Sequence, residues 1–149
     1  MVLPFTKRRG MFEGYDNAAR RVIFLANREV IQFGAKEICV EHILLGVLRE
    51  NELIVGSLLA GTPTIIRKEI EDRLSPPENL ARKDSLPLST HAQRILKLAA
   101  RESKRLCDTN VRTAHLIFGI LLEGSSVAAE VLGEHGITYQ VALDKLITR

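Results

Sequence analysis

Apolar side chains recur at helical spacing along most of this chain. The clearest stretch places them at i, i+3, i+4, i+7, i+11 and i+14, which forms one stripe on a helix of about five turns: Ala19, Val22, Ile23, Ala26, Val30 and Phe33. The opposite face of this helix is polar, and we expect its side chains, Glu29 among them, to be solvated. No stretch shows the alternation typical of a half-buried strand. The pattern predicts an all-α protein.

The same pattern occurs twice. Residues 15–59 align with residues 88–132 at a constant offset of 73 without a gap, and 11 of the 45 aligned positions are identical. An internal repeat of this kind determines the architecture. The identical pairs are Ala19/Ala92, Arg21/Arg94, Leu25/Leu98, Ala26/Ala99, Arg28/Arg101, Glu29/Glu102, His42/His115, Gly46/Gly119, Leu48/Leu121, Glu50/Glu123 and Leu59/Leu132.

Each repeat predicts four helices. The first ends at Gly34 in a left-handed cap. The second contains a glycine at the same position in both repeats, Gly46 and Gly119. Because glycine costs about 1 kcal/mol against alanine inside a helix, the double occurrence predicts close contact between helices. Third helices are predicted over 53–60 and 126–134, and fourth helices over 64–75 and 138–148, with Thr64 and Thr138 as N-caps.

The predicted fold therefore has eight helices in two pseudo-symmetric four-helix repeats joined by a proline-containing linker. The repeats span residues 11–75 and 89–149 and form one compact domain over 11–149; residues 1–10 form an N-terminal tail. The linker, residues 76–88, opens with two prolines that end the fourth helix. Ser89 or Thr90 is expected to cap the fifth helix.

Composition excludes several classes of protein. The chain is 46% apolar and 26% charged, which is ordinary for a globular protein. No apolar run approaches the ~18 residues of a membrane helix, and the first residues lack the order of a secretory signal. We therefore expect a cytoplasmic protein without a membrane partner. The net charge of +3 is not collected on any helix, and tryptophan is absent, so nucleic acid is not an expected partner.

The motif Val40-Glu41-His42-Ile43-Leu44-Leu45-Gly46, and its counterpart that begins Thr113-Ala114-His115, resemble a family hallmark. The resemblance is to the N-terminal domain of bacterial Clp unfoldases, whose two repeats each carry Thr-Glu-His-Ile-Leu-Leu-Gly at the start of the second helix. It covers residues 11–149. The sequence contains no phosphate-binding loop of the ATPase modules, so we expect either a stand-alone protein of this domain type or a fragment of a larger one, and we favour the first.

The resemblance implies a domain that binds adaptors and substrates. In some members the motif glutamates hold the guanidinium of phosphorylated arginine on client proteins. Here the first motif keeps its glutamate but has Val40 for threonine, and the second keeps Thr113 but has alanine for glutamate. Candidate protein-binding residues are Glu41, Val40, His42, Thr113 and His115. An acidic residue in the first turn of a helix is also favoured by the helix dipole without any ligand.

Catalysis and metal binding are not expected. The two histidines lack a nucleophile or orienting partner in the sequence, and repeat symmetry favours a packing or capping role. Cys39 and His42 resemble half a zinc site, but Cys39 aligns with an arginine and Cys107 with a glycine in the other repeat. We expect no cofactor and no enzyme activity.

The predicted function is that of a non-catalytic protein-binding domain of the Clp quality-control system. Its expected partners are a Clp unfoldase or protease subunit, an adaptor, or a client protein that carries phosphorylated arginine. The alternative is a helical-repeat transcriptional or nucleic-acid-associated regulator, motivated by the basic segment at residues 7–9. Residues 53–55 are three consecutive apolar residues that either form a docking patch or pack on the fourth helix.

Overall fold

The computed structural model describes residues 12–50, 53–59, 63–74 and 87–147. Within these ranges the chain forms eight α-helices and no β-strand, which confirms the all-α prediction and the arrangement as two four-helix repeats. The helices are α1 (Asn17–Phe33), α2 (Val40–Glu50), α3 (Leu53–Leu59), α4 (Pro63–Arg73), α5 (Thr90–Arg105), α6 (Thr113–Glu123), α7 (Val127–Glu134) and α8 (Tyr139–Ile147).

Most of the predicted helix ends are observed. Gly34 ends α1 with a φ of 67°, in the left-handed region. The Ser89 side chain caps α5, and the Thr138 hydroxyl accepts the Val141 N–H at 3.2 Å at the start of α8. The prediction for Thr64 was wrong, because α4 already begins at Pro63. Proline suits the first helical position, since its φ is fixed near the helical value and that position needs no N–H donor.

The paired glycines bring α1 against α2 and α5 against α6. A Cβ on Gly46 would lie 2.5 Å from the carbonyl oxygen of Val22, and a Cβ on Gly119 would lie 2.5 Å from that of Ile95. Val22 and Ile95 are equivalent in the repeat. The predicted close approach is therefore confirmed at both positions, and no side chain fits between the two backbones.

The two repeats are joined by a pair of matching backbone contacts. Tyr15 forms an isolated parallel bridge with Val111, and Ile38 forms one with Leu88. Tyr15 is equivalent to Leu88 in the repeat, and Ile38 is equivalent to Val111. The second bridge is therefore the first with the two repeats exchanged. This exchange is the signature of an isologous, two-fold contact between equivalent surfaces. The supporting hydrogen bonds have the same symmetry: Asp16 N to Val111 O, Val111 N to Gly14 O, Ser89 N to Ile38 O, and Ile38 N to Pro87 O, at 2.8 to 3.0 Å.

Helix α4 of the first repeat packs against α7 of the second. Arg73 donates to Glu130 at 3.3 Å and to Glu134 at 2.9 Å, and His135 contacts Glu69 at 2.9 Å. Buried apolar side chains from both repeats form one cluster beneath these polar contacts. Helix α2 also contacts α5, α6 and α7 of the second repeat.

Several predicted features lie outside the described residues. These are the tail, most of the linker, and the side chains of residues 53–55. In the described part of the chain, no single helix has both the length and the apolar character needed to cross a membrane. The bent pair α6 and α7 passes that test jointly, by length and composition, with a bend of 97°.

Candidate protein-binding site

The repeated motifs lie at the N-termini of α2 and α6, and most of their side chains are buried. Val40 is 2% exposed and Thr113 is fully buried. These two residues occupy equivalent positions and pack into the core. Four of the five candidate residues are buried. Among the five, Glu41 alone is partly exposed to solvent.

The two motif histidines cap their own helices. The Nδ1 atom of His42 accepts the N–H of Cys39 at 2.9 Å, and the Nδ1 atom of His115 accepts the N–H of Arg112 at 2.8 Å. Each imidazole therefore satisfies a backbone donor at the residue before the helix, in the manner of a capping box. This arrangement assigns the Nδ1 lone pair of each ring to the backbone.

The second ring nitrogen differs between the repeats. In the second repeat, His115 Nε2 donates to the Asp108 carboxylate at 2.8 Å. The residue equivalent to Asp108 in the first repeat is Ala35, and the buried Nε2 of His42 has no hydrogen-bond partner among the described residues. Burial lowers the pKa of His42 from 6.5 to about 4. Burial also lowers the pKa of His115, although Asp108 opposes that effect.

Glu41 connects the two repeats. Its Oε2 atom accepts the N–H of Ala128 at 3.1 Å, in the first turn of α7. The carboxylate thus lies at the N-termini of two helices, α2 and α7, where both helix dipoles favour a negative charge. No hydrogen bond to its Oε1 atom is formed by the described residues. The carboxylate is partly exposed, so this oxygen can accept a donor from outside the molecule.

The second motif has no comparable group. Ala114 occupies the position equivalent to Glu41 and is only 4% exposed. No carboxylate from this position can reach the first turn of α3, which would be the symmetric partner of α7. The structure therefore places one candidate acceptor at the surface, at the junction between α2 and α7.

The expectation that the polar face of the first helix is solvated was wrong for one pair of residues. Glu29 is fully buried and Glu102 is 5% exposed. Glu29 binds two arginines, Arg49 and Arg67, each at 2.9 Å. Glu102 binds Arg105 at 2.9 and 3.1 Å. Charged partners make this burial possible. The signal in the sequence was the identity of Glu29 and Glu102 across the repeat.

The cysteines do not resemble metal ligands. Burial raises the pKa of the Cys39 thiol to about 11, so the thiol is protonated near neutral pH. Cys107 is exposed and follows α5. The described residues contain no group of three or more histidine, cysteine or acidic side chains placed to hold a metal ion.

These features define a class of protein: an all-helical domain of two repeats with a polar junction between its halves. A family model described as the Clp repeat (R) N-terminal domain matches residues 15–135. The chain therefore belongs to the Clp repeat N-terminal domain family, as the repeated motif indicated.

Relatives and solved structures agree with this assignment. Over 140 residues the chain is 29% identical to the negative regulator of genetic competence ClpC/MecB of Bacillus subtilis (strain 168). The aligned region covers 92% of this chain but only 17% of the relative. The N-terminal domain of ClpD from Arabidopsis thaliana matches with a TM-score of 0.74, 22% identity and coverage of 93% and 95%. A ClpV N-domain in complex with a VipB peptide matches with a TM-score of 0.71, 18% identity and coverage of 92% and 86%. At these identities the two structures show the shared fold alone.

Proposed function

We propose that this chain is a non-catalytic protein-binding domain of the Clp quality-control system. Its partners are adaptors, client proteins, or a Clp unfoldase or protease subunit, and its place of action is the cytoplasm. Membership in the family supports this proposal. The matched ClpV N-domain bound to a VipB peptide is a case in which a domain of this fold takes a protein segment.

The observation that carries the proposal is the position of Glu41. Its carboxylate is partly exposed, has one oxygen that accepts no hydrogen bond from the described residues, and lies beside the first turns of α2 and α7. A carboxylate accepts a guanidinium through strong charge-assisted hydrogen bonds. In α7 the N–H groups of Ala128 and Ala129 are already bound to Glu41 and Ser126, so the donors for an anionic group are those of the first turn of α2, which have no acceptor within that helix. An arginine that carries a phosphate presents both partners in one side chain.

The test is a binding titration of the full chain with three blocked pentapeptides of the form Gly-Ala-Xaa-Ala-Gly, in which Xaa is phosphoarginine, arginine or alanine. We expect the phosphoarginine peptide to bind most tightly. Glu41→Gln should weaken that binding about tenfold or more, because one charge-assisted hydrogen bond contributes roughly 1.5–3 kcal/mol. The glutamine keeps an oxygen for the Ala128 N–H, so the fold should be preserved.

Two further variants sharpen the test. Glu13→Gln removes an exposed carboxylate away from the junction and should leave binding unchanged. Ala114→Glu restores the missing motif carboxylate and should raise affinity or add a second site. Equal binding by the wild type and Glu41→Gln would exclude Glu41 as the contact. Capture from the native lysate with both proteins would then show whether any Clp component or client still binds elsewhere.

A further inference from the structure

The buried carboxylate of Glu29 is held by arginines from two different helices. Arg49 Nη1, at the end of α2, lies 2.9 Å from Glu29 Oε2. Arg67 Nη2, on α4, lies 2.9 Å from Glu29 Oε1, and Arg67 Nε also contacts Glu71 at 2.9 Å. Both guanidinium groups are therefore fixed in position by carboxylates beneath and beside them.

The second repeat shows that burial of this glutamate does not require two arginines. Glu102 is bound by Arg105 of its own helix and by the hydroxyl of Tyr139 at 2.5 Å. The position of Arg49 is taken there by Leu122, which is 43% exposed. One arginine and one neutral donor satisfy the acid in the second repeat. In the first repeat Arg49 supplies the second donor that the Tyr139 hydroxyl supplies in the second, so the charge and the other N–H groups of Arg49 exceed what burial of Glu29 needs.

Both arginines line an open groove of about 470 Å³ between the end of α2 and the start of α4. The groove is lined by Gln32, Leu48, Arg49, Pro63, Thr64 and Arg67. The Arg49 side chain is 47% exposed, and its one contact among the described residues, to Glu29, occupies a single N–H. Its remaining donors face a groove that also carries apolar surface.

The charge of the cluster indicates which anion fits. Glu29 and Glu71 offset the two arginines, so the groove has directional donors without a net positive charge. A small, highly charged ion gains little from such a site. A carboxylate on a peptide chain gains hydrogen bonds from the guanidinium and apolar contact with Leu48 and Pro63 beside it.

We propose that this groove is a second protein-binding site, which takes an acidic side chain of a partner protein. The carboxylate is bound by Arg49 and Arg67, and a neighbouring apolar side chain packs on Leu48 and Pro63. The site is separate from that of Glu41, because eight residues of α2 separate Glu41 from Arg49, which is ~12 Å along the helix. The two sites can therefore be tested, and can fail, independently.

The test is a titration of the ¹⁵N-labelled full chain with the blocked hexapeptide acetyl-Ala-Leu-Asp-Glu-Leu-Ala-amide, followed by NMR of the backbone and arginine Nε–H signals. The control peptide has Asn and Gln in place of Asp and Glu. We expect saturable shifts at Arg49, Arg67 and Thr64 with the acidic peptide, and at least about tenfold weaker binding of the control.

The variant Arg49→Leu introduces the leucine of the second repeat; Glu29 keeps Arg67 at Oε1 and loses its described donor at Oε2, so urea unfolding must show that the variant is folded under the conditions of the titration. It should weaken the acidic peptide about tenfold or more, with an unchanged circular dichroism spectrum. The matched control is Arg94→Leu, which removes an arginine that is 55% exposed and bound to one carboxylate in the other repeat; it should bind as the wild type does. The proposal is overturned by shifts that map elsewhere, by no shift at 10-fold peptide excess and millimolar concentration, or by a groove that responds to inorganic phosphate and not to the peptide.

Discussion

The environment of His42 predicts that the folded protein loses stability at acidic pH. His42 is 2% exposed, its Nδ1 atom is bound to the Cys39 N–H, and its Nε2 atom has no partner among the described residues. A second proton would break the capping bond and place a charge in the core. The folded protein therefore keeps His42 neutral, with a pKa lowered by burial from 6.5 to about 4.

The size of the effect follows from these two pKa values. Between pH 6.5 and pH 4 the unfolded chain binds a proton at His42 and the folded chain does not. The free energy of unfolding therefore does not depend on His42 above about pH 6.5, and it decreases as the pH falls toward 4. At 1.36 kcal/mol for each unit of difference between the pKa values, the loss is about 3 kcal/mol.

The assay compares urea unfolding of the wild type and His42→Gln at pH values from 7 to 4. Glutamine at this position can still accept the N–H of the capping residue, but it does not titrate. The difference in unfolding free energy between the two proteins should shift by about 3 kcal/mol across this range, in favour of the variant at low pH. Other titrating groups cancel in this difference.

A second variant tests the cause. Ala35→Asp supplies the first repeat with the counterpart of Asp108, which should raise the pKa of His42 and reduce the acid sensitivity. The reasoning is refuted if the His42 ring proton titrates near pH 6.5 by NMR, or if His42→Gln unfolds with the pH dependence of the wild type.

Three further predictions, each tested by urea unfolding, concern the packing of helices, a turn and the buried ion pairs. Gly46→Ala should destabilise the fold by about 1–3 kcal/mol or more, because its Cβ would lie 2.5 Å from a backbone oxygen. Gly133→Ala should stabilise the fold by about 0.5–1 kcal/mol, because the space around Gly133 is open. Equal effects of the two substitutions would contradict the packing argument. Cys107 has a φ of 61° at the position equivalent to Gly34, so Cys107→Gly should stabilise by about 0.5–1 kcal/mol, whereas no gain would show that the turn is unstrained. Arg105→Leu should lower the unfolding midpoint more than Arg49→Leu does, because Glu102 would lose its one arginine and Glu29 would keep Arg67.

The sequence predicted the architecture because the information was local or repeated. Helical periodicity identified the elements, and the constant offset of 73 showed that they occur as two equivalent sets. The paired glycines predicted the α1–α2 contact correctly, since a cost that is present twice requires a common structural cause. The start of α4 was misplaced because proline and threonine both favour the first residues of a helix.

The polar contacts were less predictable, because they depend on residues far apart in the chain. Glu29 was assigned to the polar face of α1, but it lies three residues after Ala26, at the edge of the apolar stripe, where Arg49 and Arg67 from two later helices bind it. Glu41 was expected in the first turn of α2. Its contact with Ala128, 87 residues away, depends on how the two repeats pack. Periodicity within one helix carries no information about either partner.

The comparison of the repeats separates what the fold requires from what it does not. The glycine contacts, the backbone bridges, the histidine caps and the ion pairs Arg21–Glu50 and Arg94–Glu123 occur in both halves. An interaction that both repeats form is one that we attribute to stabilising the shared fold. Glu41 and the extra arginine at position 49 occur in the first repeat only, and the second repeat folds with alanine and leucine at those positions. Glu41 caps α7 and Arg49 pairs with the buried Glu29, but the second repeat folds without either group, so neither is required by the repeat itself. We therefore expect partner recognition to be concentrated in the first repeat and at its junction with α7, while the second repeat mainly supports that surface.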